Sequence, residues 1–172
     1  RAGIAMDANG NFVVVWDSTG QDSSSCCHLG VYGQRFNSTG QAQGSEFLVN
    51  TYTVHHQNSP TIAMDAVGNF VVAWRSYEQD GDNDGIFAQR FDATGTKQGA
   101  EFQVNTFTAN PQDRPSVAMD SNGDFVITWA SQEQDPTDVG NGRWGIYAQR
   151  FNSSGVVQGA EFRVNTTLMN SQ

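Results

Sequence analysis

Along this chain apolar and polar positions alternate in short runs, and the runs return in the same order three times. Residues 125–129 show the pattern. Phe125, Ile127 and Trp129 fall on one face of an extended strand, Val126 and Thr128 on the other. Ahead of them Ser116 to Asp120 also alternates, and Asn122-Gly123 between the two runs is a hairpin signal. A polar loop follows from Ser131 to Gly145. Ile146 to Asn152 is expected as a third strand, Ser153-Ser154-Gly155 as its turn, and Ala160 to Asn165 as a fourth strand. Helical periodicity is absent, and the glycine-rich turns would interrupt any helix.

The same unit is written around Trp16, Trp74 and Trp129. Each closes the segment Asp-x-x-Gly-x-Phe-Val-x-x-Trp. Each is followed by Gly-x-[Tyr/Phe]-x-Gln-Arg-Phe and then by Gly-x-Glu-Phe-x-Val-Asn-Thr. Repeats of this length are supersecondary units that bury their apolar faces on their neighbours. The expectation is an all-β, β-propeller-type repeat of three four-stranded antiparallel blades in one repeat domain. Blade 1 is expected at about 1–58, blade 2 at about 59–113 and blade 3 at about 114–172. Gln57 and Gln112 precede Pro60 and Pro115 in the linkers, where an amide can tie loop backbone together.

Propellers close with four to eight blades, so three would leave two apolar faces bare. The burial forfeited would exceed the net stability of an ordinary domain. The chain is therefore expected to form a homo-oligomer or polymer, or to belong to a longer array. Its two ends fall at the same phase of the repeat, as in a processed product or a piece of such an array.

Charge narrows the partners. Nine basic and 18 acidic residues give a net charge of −9, and Lys97 is the sole lysine. No basic patch exists to neutralise phosphates, so no nucleic-acid partner is expected. No apolar run approaches the roughly 18 residues of a membrane-spanning helix. Few lysines amid many Gly, Asn, Gln, Ser and Thr suit an extracellular or cell-surface protein of bacteria. Cys26 and Cys27 are adjacent, which leaves open two free thiols, a strained vicinal disulfide, an intermolecular bond or metal ligation.

The acidic run Asp80-Gly81-Asp82-Asn83-Asp84-Gly85 places carboxylates at alternate positions before a turning glycine. It resembles the Asp-x-Asp-x-Asp-Gly loops of integrin-type and other calcium-binding propellers. The Tyr-Ala-Gln-Arg-Phe unit resembles repeats in large secreted or surface proteins of bacteria, over essentially the whole chain. That resemblance implies calcium as a structural ligand of Asp80, Asp82 and Asp84. Copy one departs from the pattern at Gln21-Asp22, copy three at Gln134-Asp135 and Asp138, and no distal bidentate Glu follows at EF-hand spacing.

Other candidates lie where the copies differ, since loops on a rigid scaffold carry binding. Trp144, with Arg143, Asp135 and Asp138 in the same loop, is a candidate for stacking on a sugar face. His28, His55 and His56 occur once each, and His55-His56 has no acidic neighbour in sequence. Sequons at Asn37, Asn152 and Asn165 matter only in a eukaryotic secretory pathway. Residues present in every copy read as framework. Arg35, Arg90 and Arg150 are expected to pair across a hairpin with Glu46, Glu101 and Glu161. Asp7, Asp65 and Asp120 are expected to accept turn hydrogen bonds. No nucleophile elbow, phosphate loop or Cys-x-x-Cys pair appears. The Asp-x-x-Gly-x-Phe turn loosely resembles a sialidase Asp-box at different spacing. The sequence thus reads as a non-catalytic extracellular structural or adhesive module that self-assembles and is calcium-stabilised, and not as an enzyme. The alternative is a lectin-like propeller that binds glycans through its variable loops.

Overall fold

The structure, a computed structural model, describes residues 1–21, 28–135 and 142–166. Cys26, Cys27 and Asp138 lie outside the described residues. Every regular element among the described residues is a strand: β1 (Ala2–Met6), β2 (Phe12–Thr19), β3 (Leu29–Phe36), β4 (Phe47–Leu48), β5 (Gln57–Met64), β6 (Phe70–Tyr77), β7 (Asp84–Phe91), β8 (Lys97–Gln103), β9 (Gln112–Met119), β10 (Phe125–Gln132), β11 (Trp144–Phe151) and β12 (Phe162–Arg163). They make three four-stranded antiparallel sheets in sequence order. The first strands β1, β5 and β9 lie beside one another, so they are the inner strands of a propeller-type arc.

The hairpins repeat atom by atom. Asp7 Oδ1 accepts the backbone N–H groups of Asn9 and Asn11, Asp65 Oδ1 those of Val67 and Asn69, and Asp120 Oδ1 those of Asn122 and Asp124. Each Asp closes its own turn, as expected. The fourth strand of blade 3 is shorter than the expected 160–165, because a side chain takes over from the ladder. Val164 N still donates to Ile146 O, but Ile146 N is bonded by Asn165 Oδ1. Asn50 and Asn105 do the same for Val31 and Ile86.

Each blade has a front face carrying its Trp and a back face opposite. The back of blade 1 (Val13, Val15, Val31, Val49) forms one core with the front of blade 2 (Ile62, Phe70, Val72, Trp74, Phe87, Phe91). The back of blade 2 (Val71, Ala73, Ile86, Ala88, Val104) meets the front of blade 3 (Phe125, Ile127, Trp129, Tyr147, Phe151) in a second. Phe70 stacks on Phe91 and Phe125 on Phe151 at centroid distances of 4.8 and 4.9 Å, adding aromatic contact to the area buried. Trp74 and Trp129 are fully buried; Trp16, on the front of blade 1, is only half-buried.

The expected Arg–Glu pairing within each hairpin is corrected here. Arg35 Nη1 donates to Thr94 O and Arg90 Nη1 to Ser153 O, both in the following blade. Glu101 accepts Thr51 N, and Glu161 accepts Thr106 N, both from the preceding blade. These side chains tie blade to blade because the guanidinium runs along the sheet edge onto a glycine turn. A Cβ on Gly155 would lie 2.7 Å from Arg90 Nε, and Gly155 has φ +79°. Only glycine combines that room with that conformation.

Candidate functional site

The linker from blade 2 to blade 3 and the β6–β7 loop meet at one end of the arc, where Asn110 N donates to Asp82 Oδ2. Each linker is held by a buried amide. Gln57 Nε2 donates to Val54 O, and Gln112 Nε2 donates to Ala109 O and Asn110 O. Beside these glutamines the inner strands are bulged, with register shifts after Asn58 and opposite Thr128–Ala130. Ser59 (φ 55°) and Arg114 (φ 56°) sit in the left-handed region immediately before Pro60 and Pro115. Strain of this kind in non-glycine residues is held only where the surroundings over-determine it, and it clusters at functional sites.

At these bulges charged groups converge on one guanidinium. Arg75, at the end of β6, donates from Nε to Asn58 Oδ1 at 3.0 Å and lies 3.4 Å from Asp84 Oδ1. Its Nη1 lies 3.6 Å from Asp113 Oδ1, on the inner strand of blade 3. In the neighbouring seam Asp17 Oδ2 accepts Ser59 N, and its Oδ1 meets the amino group of Arg1 at 2.7 Å. Burial pushes the Asp84 carboxyl above the usual carboxylate range; Arg75 opposes this, while Asp113 and Asp80 reinforce it. The arrangement offers two carboxyl groups, one of them raised above its usual range by burial, held against a fixed cation. Such a set can bind hydroxyls and move a proton.

Sequence reasoning passed over Asp17, Asn58, Arg75 and Asp113, yet a signal was present. The residue after each framework Trp is Asp17, Arg75 and Ala130, and the residue after each linker Gln is Asn58 and Asp113. Chemistry varies there at a fixed phase of an otherwise repeated frame.

The acidic run Asp80–Asp84 is divided among three sets of partners. Asp80 lies against Gly85 and accepts from Asn105 Nδ2 at 3.3 Å, leaving its buried Oδ1 without a hydrogen-bond partner. Asp82 accepts Asn110 N at 3.0 Å, and hydrogen bonds led by the Asn83 backbone hold it below the usual carboxylate range. Asp84 faces Arg75. Among the described residues no group of three or more His, Cys, Asp or Glu is placed to hold a metal ion. Burial lifts the Asp80 carboxyl above its ordinary value. A carboxyl with a raised folded-state pKa stabilises the protein when protonated, and that contribution is lost as pH rises through the raised value. An Asp80→Asn variant is therefore expected to melt about 2 °C higher than wild type at pH 7. The advantage should vanish toward pH 4, which melting curves at both pH values would show.

The remaining candidates separate. Trp144 opens β11 opposite Gln132 and is half-buried. Arg143 O accepts Glu133 N. Asp135 is bound to Arg163 at 2.7 Å, which ties it to β12. The structure brings all three histidines together. His28 lies 5.9 Å from His55 and 5.8 Å from His56, ring centroid to centroid. His55 Nε2 lies 3.2 Å from Glu78 Oε2, an acidic partner supplied by blade 2 that linear sequence did not show.

No protein-family model matches the chain, and no curated protein matches it. Solved structures do. An endo-arabinase from Bacteroides thetaiotaomicron aligns with a TM-score of 0.54 at 14% identity, covering 91% of this chain and 59% of that one. An α-L-arabinofuranosidase from Lactobacillus brevis gives 0.52 at 10% identity, with 92% and 52% covered. A GH43 endo-arabinanase from Bacillus licheniformis gives 0.51 at 15%, with 92% and 57% covered. The chain is thus a propeller-type fold that spans 52–59% of the length of these enzymes. The expectation of a non-catalytic structural or adhesive module, and of no enzymatic role, is corrected by this finding. The folds it resembles are those of arabinan- and arabinofuranoside-named enzymes. The triplicated framework is a fold that these enzymes also have.

Proposed function

We propose that this chain is a three-bladed part of a carbohydrate-active propeller, with the cluster around Arg75 as its saccharide-contacting site. The observation that carries the reading is the convergence of Asp84, Asp113 and Asn58 on Arg75 at strained, bulged inner strands, where the three repeats differ. Carboxylates, an amide and a guanidinium are the groups that hold sugar hydroxyls. Asp84, lifted by burial, is suited to donate a proton, and Asp113 stands as the second carboxylate. Hydrolysis of a glycosidic bond uses such a pair. The solved arabinanases and arabinofuranosidase support the substrate class through fold alone.

Calorimetric titration with arabino-oligosaccharides, alongside an assay for release of reducing sugar, tests the reading. Arg75→Ala and Asp113→Asn are each expected to weaken binding at least tenfold, as the loss of a charge-assisted hydrogen bond should. Binding unaffected by both substitutions but abolished by Trp144→Ala would move the site to the loop of blade 3. Neither binding nor release by the folded chain would overturn the carbohydrate reading itself. Melting in calcium and in EDTA tests the metal reading of Asp80, Asp82 and Asp84. A calcium site there would require Asp84 to leave Arg75, so binding should be stronger in an Arg75→Ala variant.

A further inference from the structure

Each seam between blades carries a cleft at its hairpin end, and the two clefts are built from equivalent residues. In the seam of blades 1 and 2, Asp7, Asn11, Arg35, Gln43 and Met64 line a space of about 300 Å³. In the seam of blades 2 and 3, their equivalents Asp65, Asn69, Arg90, Gln98 and Met119 line one of about 210 Å³. The frame repeats but its polarity does not. Where the first cleft has Val67 and Ala93, the second has Asn122 and Ser153. Both residues are exposed, and neither the Asn122 amide nor the Ser153 hydroxyl makes a hydrogen bond among the described residues. Arg90 uses one N–H of Nη1 on Ser153 O and has no ion pair among the described residues. Burial lowers its pKa, and no carboxylate offsets that loss of water. Asp92 Oδ2, in the same lining, takes one hydrogen bond from Gln98 and can accept another.

We infer that the cleft between blades 2 and 3 binds a single neutral sugar ring, with Asn122, Ser153 and Arg90 donating to its hydroxyls and Asp92 accepting from them. Three features of the lining select this class of ligand. Asp65 and Asp92 against the one guanidinium leave the cleft negative, which disfavours an anion. Donors and an acceptor stand together, as neighbouring hydroxyls need, and half-buried Met119 beside the stacked Phe70–Phe91 pair supplies apolar surface for the C–H groups of a ring. The space is smaller than the roughly 300 Å³ at which pockets for drug-sized ligands begin, so it takes one ring and not a peptide. The first cleft, lacking both added polar groups, should bind the same ligand more weakly. The second cleft lies beside Phe70 at the start of β6, while Arg75 lies near the other end of that strand. It shares no residue with the Arg75 cluster, so this inference stands or falls separately from the proposed activity.

Titration of the isotope-labelled whole chain with L-arabinose, D-xylose and D-galactose, followed amide by amide in NMR spectra, tests it. The expected result is a saturable shift at Asn122, Gly123 and Ser153 with at least one of these sugars, and a weaker response at Val67 and Gly68. Asn122→Val combined with Ser153→Ala gives the second cleft the residues of the first, and should weaken binding about tenfold, as the loss of two neutral hydrogen bonds would. Both positions are exposed, and the first cleft holds these residues in the same turns, so the fold should be kept. The shifts should persist in an Arg75→Ala variant, which separates this cleft from the Arg75 cluster. No saturable shift at Asn122, Gly123 or Ser153 with any of the three sugars, a response indifferent to the double substitution, or a response to sodium sulfate in place of sugar would each overturn the inference. If the double variant loses its dispersed spectrum, the reverse exchange in the first cleft, Val67→Asn with Ala93→Ser, decides: the shift at Gly68 should rise to that of Gly123, and no gain there would overturn the inference.

Discussion

Replacing Trp74 by alanine is expected to cost about 3–5 kcal/mol, the range for deleting a large aromatic ring from a close-packed core. Trp74 is fully buried between the back of blade 1 and its own sheet, packed with Val13, Val15, Val31 and Val49 on one side and Phe70 and Phe87 beside it. Neither neighbouring sheet can collapse into the space without breaking ladder hydrogen bonds, so the cavity should persist. Trp16 supplies the control, because it has the same place in the repeat and is only half-buried. Urea unfolding at concentrations where the chain is monomeric should show Trp16→Ala costing less than half as much. Equal losses at both positions would mean that the tryptophans stabilise blades from within and not through the seam.

The second large effect is expected at Gln112. Its side chain is fully buried, accepts from Asn105 Nδ2 at 3.0 Å and donates to Ala109 O and Asn110 O. Gln112→Leu keeps the approximate volume but strips all three partners at once. A buried polar group left unpaired costs about 1–3 kcal/mol, so a loss of roughly 3 kcal/mol or more is expected. The linker from blade 2 to blade 3 should loosen with it. Amide hydrogen exchange would report faster opening around 105–112, while the turn at Asp65 keeps its protection. Uniform loss of protection across all three blades would instead show that the arc unfolds as one unit.

Much of this architecture was legible in the sequence because its determinants are local. A turn such as Asp120-Ser-Asn-Gly123 closes on itself through one carboxylate, and alternation places Phe125, Ile127 and Trp129 on one face without reference to distant residues. What failed was reading partners across space. Arg90 and Glu101 are close in sequence and present in every copy, which suggested a pair. Each instead reaches a different neighbouring blade, because a blade edge leaves its bonding groups directed at the next sheet. The candidate site was hidden for a related reason. Arg75, Asn58, Asp84 and Asp113 come from four strands in two blades, and the pairing of β6 with β5 and β7, with β9 of the next blade alongside, brings them together. The conspicuous acidic run drew attention by its spacing, but its carboxylates are drawn apart by Asn105, Asn110 and Arg75.

The pairing of every strand with its sequence neighbour has a consequence for synthesis. Each hairpin can zip as soon as its second strand leaves the ribosome, since nothing distant is needed to register it. The seams cannot. Arg35 finds its acceptor at Thr94 only when 59 more residues have emerged, and Arg90 waits 63 residues for Ser153. Until then the back of each newly formed blade stays apolar and uncovered. The length of the repeat therefore sets how long the nascent chain remains open to wrong partners.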